Sequence, residues 1–77
     1  MKNLARLISD LTKWQKAHGI TDTEMGQHLG GLDRSTWAAY RLGIRLPGRV
    51  LVMRARGVRG FARRSDAVLR GKDWPSV

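Results

Sequence analysis

Glycine-bearing breaks do most to constrain this fold. His18-Gly19, Gly30-Gly31, Gly43, Gly57, Gly60 and Gly71 divide the 77 residues into short segments. Between the breaks, apolar side chains recur at helical spacing, and no segment shows the period-two alternation of a strand. The sequence therefore predicts an all-α chain of four or five short helices. In residues 4–17, Leu4, Leu7, Ile8, Leu11 and Trp14 form one apolar stripe, with Lys2, Arg6, Asp10, Lys13 and Lys16 mostly opposite. Gly19 fits the position just past a helix end. Thr21 and Glu24 read as a capping box that starts a second helix, with Met25 and Leu29 inward. Gly30-Gly31 stops that helix. Asp33 caps a third helix from Arg34 to about Leu42, with Trp37 and Tyr40 as its apolar pair, and Gly43 ends it. Pro47 suits the first turn of a fourth helix running to about Arg56, with Leu46, Val50, Leu51 and Met53 as its apolar contribution. A last helix runs from Phe61 to Arg70, packing through Val68 and Leu69.

The length allows one domain, over residues 1–70, followed by a tail over 71–77. A chain this short buries only roughly 60% of its unfolded surface, so its core is thin. With no cysteine, disulfides and thiolate metal sites are excluded. Met1 to Asp10 holds no apolar run of signal-peptide length. No stretch approaches the roughly 18 apolar residues of a membrane helix. A cytoplasmic protein without membrane attachment is expected.

The net charge of +9 is unevenly placed. Acids and bases balance in residues 1–33 and again in 66–77. Residues 34–65 carry Arg34, Arg41, Arg45, Arg49, Arg54, Arg56, Arg59, Arg63 and Arg64, with no acid. Such a field opposes folding by self-repulsion unless an anionic partner uses it. Arginine forks match phosphate oxygens and guanine edges better than lysine does. A solvated basic face kept for solubility is the bland alternative.

Residues 20–47 read ITDTEMGQHLGGLDRSTWAAYRLGIRLP. Thr21, Glu24, Met25, Gly26, Leu29, Gly30, Arg34, Ser35, Thr36, Trp37, Gly43 and Pro47 follow the pattern of the Cro and lambda-repressor-like (XRE) helix-turn-helix family, which this stretch resembles. Gly26 stands where the family has Ala, a small residue at a close helix crossing. Two departures stand out. The turn Gly30-Gly31-Leu32-Asp33 is one residue longer than usual, with Gly31 as the insertion. Asp22 replaces a Gln that supports a phosphate contact, and a carboxylate there would repel phosphate.

The resemblance implies a lambda-repressor-like DNA-binding domain whose third helix enters the major groove. By position, Arg34, Ser35, Ala38 and Ala39 would read bases, Arg34 through a bidentate contact to guanine. Thr23, His28, Thr36, Arg41, Arg45 and Arg49 would meet the DNA backbone. The roles of Arg54, Arg56, Arg59, Arg63 and Arg64 stay open between phosphate contacts and a general electrostatic face. Trp37 and Tyr40 are expected to pack in the core rather than stack on bases. The implied function is sequence-specific binding of double-stranded DNA by a bacterial or phage transcriptional regulator that occludes an operator. A homodimer on a pseudo-palindrome is expected, with Val58, Phe61, Val68 and Leu69, or Trp74 of the tail, as its contact.

Two rivals use the same fold. One is a protein-interaction module, such as an antitoxin or a small phage protein that binds a host protein. The other is non-specific nucleic-acid compaction. Enzymatic roles find no support: no Ser-His-Asp set or paired carboxylates appear at useful spacing. His18 and His28 are the only histidines and do not make a zinc site. No cofactor, metal or small-molecule ligand is expected.

Overall fold

The computed structural model describes residues 2–71. Among them are five helices: α1 (Lys2–Ala17), α2 (Asp22–His28), α3 (Arg34–Arg41), α4 (Arg49–Ala55) and α5 (Ala62–Arg70). No described residue lies in a strand. The helices pack as two pairs, α2 with α3 and α4 with α5. The long α1 touches both pairs, through α3 and α5.

Local chemistry sets most of the boundaries. Gly19 takes φ +61°, and the Ile20 amide reaches back to the Gln15 carbonyl at 3.2 Å, closing α1. The Thr21 hydroxyl oxygen accepts the Glu24 amide at 3.2 Å and so caps α2. The Glu24 carboxylate accepts a hydrogen bond from the Thr21 hydroxyl, where a full capping box would use the Thr21 amide. The Asp33 carboxylate accepts the Ser35 amide at 3.0 Å and caps α3.

The core is a single cluster. It joins Leu4, Leu7, Ile8 and Leu11 of α1 with Met25, Leu29, Trp37, Leu51, Val52, Ala55, Val58, Phe61 and Val68. Burying a side chain of this size stabilises the fold by about 1.5–3 kcal/mol each.

The C-terminal half differs from the sequence expectation in three ways. Pro47 is not in the first turn of α4: Gly48 is the N-cap, and Pro47 precedes it, buried. The inward face of α4 is Leu51, Val52 and Ala55, whereas Leu46, Val50 and Met53 are 63%, 63% and 59% exposed. A two-turn helix buries one stripe only. Finally, Val58, Phe61 and Val68 are core residues, so they are unavailable as a dimer contact. Leu69 is partly buried against the same core, and Trp74, with tail residues 72–77, lies outside the described residues.

Candidate nucleic-acid interface

The connection from α2 to α3 is built on glycine. Gly30 and Gly31 take φ +77° and +93°, a left-handed region that L side chains enter only at a cost. The chain thereby doubles back, and the Gly31 and Leu32 amides both donate to the Gly26 carbonyl, at 3.0 and 2.9 Å. The Leu32 carbonyl is left against Gly26. A Cβ added to Gly26 would overlap that carbonyl oxygen, so even the alanine of the resembled family does not fit this longer turn.

Arg54 of α4 braces the same turn. Its guanidinium donates to the Gly30 carbonyl at 2.6 Å and to the Leu29 carbonyl at 3.3 Å. These oxygens belong to the open end of α2, where a cation also complements the helix dipole. Arg54 is thus a structural clamp of the turn, a role the sequence did not suggest.

The orientation of α3 is fixed by a buried relay. Trp37 is fully buried, and its indole N–H donates to Gln15 Oε1 at 2.9 Å. The Gln15 amide donates to Asp22 Oδ1 at 2.9 Å and to the Ile20 carbonyl at 3.2 Å. Asp22 Oδ2 pairs with Arg41 at 2.9 Å. The Gln15 hydrogen bond lowers the Asp22 pKa most; burial opposes this, and Arg41 lowers it further. This relay changes the reading of two residues. Asp22 does not present a bare negative charge to a phosphate, because Arg41 neutralises it. Arg41, expected at the DNA backbone, pairs with Asp22, with its Nε buried and unpartnered.

With Trp37 and Tyr40 turned inward, helical geometry places Arg34, Ser35, Ala38, Ala39 and Leu42 on the outer side of α3. Arg34 and Ser35 are exposed; Ala38 and Ala39 are half-buried. The chain after α3 folds back there, with the Ile44 and Arg45 amides donating to the Ala39 carbonyl at 2.9 and 3.3 Å. Leu42, absent from the expected set, is 61% exposed at the end of this face. Of the residues expected at a backbone, Thr23, Arg45 and Arg49 are exposed and Thr36 is half-buried. His28 is exposed, but its ring stands edge-on against Trp14 at 5.2 Å.

Three-dimensional pairing thins the arginine block. Besides Arg41 with Asp22, Arg56 pairs with Asp66 at 2.9 Å and Arg64 with Asp10 at 3.1 Å. The Arg64 guanidinium also lies 5.2 Å from the Phe61 ring centroid. The acids come from outside residues 34–65, so the segment's composition could not reveal them. Arg34, Arg45, Arg59 and Arg63 have no ion pair among the described residues.

Among the described residues, no group of three or more His, Asp or Glu side chains converges on a metal-sized site. No described helix is long and apolar enough to cross a membrane. No protein family, curated protein or solved structure matches the chain.

Proposed function

We propose that this chain is a sequence-specific binder of double-stranded DNA, acting in the cytoplasm as a transcriptional regulator that occludes its operator. The observation that carries this reading is the outer face of α3. It offers Arg34 and Ser35 at the helix start, with small Ala38 and Ala39 behind them. It is anchored from behind by buried Trp37. Small residues let a helix sit deep in a major groove, and an arginine at its first turn can fork onto guanine. Arg45 and Arg49 follow α3 in the chain and are exposed, as phosphate contacts require.

The dimer contact moves with the corrected burial. Leu42, Ile44, Leu46, Val50 and Met53 are 59–77% exposed and fall within twelve residues. A second copy on an adjacent half-site, about 34–36 Å along the duplex, would cover apolar surface there. The same surface favours the second reading, a module that docks on a host protein.

Selection from a random duplex pool tests the first reading. A preferred sequence should emerge, with binding that falls with salt at a log–log slope of about −4 for four or five phosphate contacts. Arg34→Ala should relax preference at one base pair, and Arg45→Ala should weaken all sequences alike. Absence of binding to any duplex at low salt defeats the proposal and leaves the protein-docking reading. Equal affinity for every sequence points to compaction instead.

A further inference from the structure

A groove of about 510 Å³ runs between α1 and the chain from Tyr40 to Pro47. This volume lies in the range of small-molecule sites, and of its lining the function proposed above uses only Arg45 and Leu46. Its polarity is graded along α1. Leu4, Ala5 and Ile8 line one end, Ser9 and Thr12 the middle, and Lys13 and Lys16 the other end. At 1.5 Å per helical residue, Leu4 to Lys16 spans roughly 18 Å. The opposite wall contributes Tyr40, Leu46 and Pro47, together with Arg45 and with Arg41, which is paired with Asp22. No Asp or Glu is among the described residues that line the groove. Lys13, Lys16 and Arg45 are exposed and have no ion pair among the described residues.

We propose that this groove binds a long-chain carboxylate, with the acyl chain along Leu4, Ala5 and Ile8 and the head group at Lys13 and Lys16. Charge complementarity sets the sign of the head. The end-to-end gradient sets the shape: an apolar tail followed by one anionic terminus. An acidic peptide helix would spread its charges along its length, but Lys13 and Lys16 gather at one end of α1. Leu46, 63% exposed, is an apolar wall that the tail would cover. The head-group site at Lys13 and Lys16 lies on α1, which the proposed DNA contacts do not use.

Sodium dodecanoate, titrated below its micellar concentration, is the probe, read by calorimetry and by amide chemical shifts. The expected result is saturable 1:1 binding, with shifts confined to α1 and residues 40–47. Ala5→Trp, at an exposed position inside the groove, should abolish saturation, and Lys16→Glu should weaken binding roughly tenfold. Unchanged thermal melting of both variants would show that they fold. Dodecyltrimethylammonium, with the same tail and a cationic head, should bind at least roughly tenfold more weakly. Butanoate, with the head and almost no tail, should not saturate. The proposal is overturned by shifts spread over all the arginines, by equal binding of the cationic amphiphile, or by wild-type affinity in Ala5→Trp. Tighter binding of a leucine-bearing acidic peptide to the same residues would reassign the groove to a protein partner.

Discussion

Gly26 and Gly31 are both glycines of the α2–α3 connection, yet they answer to different physics. At Gly31 the demand is on the backbone: φ is +93° and nothing lies within 4 Å of a built Cβ. Gly31→Ala should therefore cost only the left-handed penalty, about 1–2 kcal/mol. At Gly26 the demand is on space, because the Leu32 carbonyl occupies the position a Cβ would take. Gly26→Ala should cost about 3 kcal/mol or more, since the obstacle is backbone and cannot rotate away. Urea melts of the two variants check the ranking; equal losses would contradict this account of the turn. Asp22 supports a second prediction at this scale. Its folded pKa is depressed, so its contribution is present above the unfolded value of about 3.9 and is lost as pH falls through the folded value. Asp22→Asn should be less stable than the wild type at pH 6, and the two melting curves should converge as pH drops below about 4. A difference that persists unchanged into acid would assign the effect to packing rather than charge.

The helices were legible from sequence wherever a local signal governed them. Thr21 and Asp33 cap neighbours two or three residues away, and Gly19 and Gly43 close helices through bonds to the preceding turn. The rotation of α4 was not legible. Val50 and Met53 are as apolar as Leu51 and Val52, and only contacts with other helices decide which pair faces inward. The same limit applies to side chains whose partners are distant in sequence. Arg41 meets Asp22 nineteen residues away, and Arg54 meets carbonyls twenty-four and twenty-five away. The outer face of α3 was legible because Trp37 and Tyr40 mark its back. At this scale Arg54→Met is the informative substitution: it keeps most of the stem and removes the donors. It should cost about 1.5–3 kcal/mol, the range for hydrogen bonds to a charged group. It should also speed hydrogen exchange at the Gly30–Leu32 amides before the rest of the protein. Uniform exchange acceleration would mean that Arg54 supports the whole core rather than the turn.

Charge dominates the behaviour of the whole molecule. A net charge of +9 on 77 residues works against a compact state whose radius of gyration is 11.4 Å. The three ion pairs named above soften this only in part. Arg56 and Arg64 are more than half exposed, and exposed pairs contribute at most about 1 kcal/mol. The melting temperature should therefore rise as sodium chloride increases from about 10 to 200 mM, because screening relieves repulsion over distances the ion pairs do not reach. A fall over that interval would show that the pairs outweigh the repulsion.

Steric exclusion at Gly26 has an evolutionary consequence. The five-residue connection brings the Leu32 carbonyl onto Gly26, so the length of the turn and the identity of residue 26 are one character and not two. A lineage that deletes Gly31 would release residue 26 to become alanine, whereas one that substitutes residue 26 first would carry the full steric penalty. The order of mutational steps is thereby fixed. Sequences related to this one should pair a long turn with glycine and a short turn with alanine, with few mixed combinations between them.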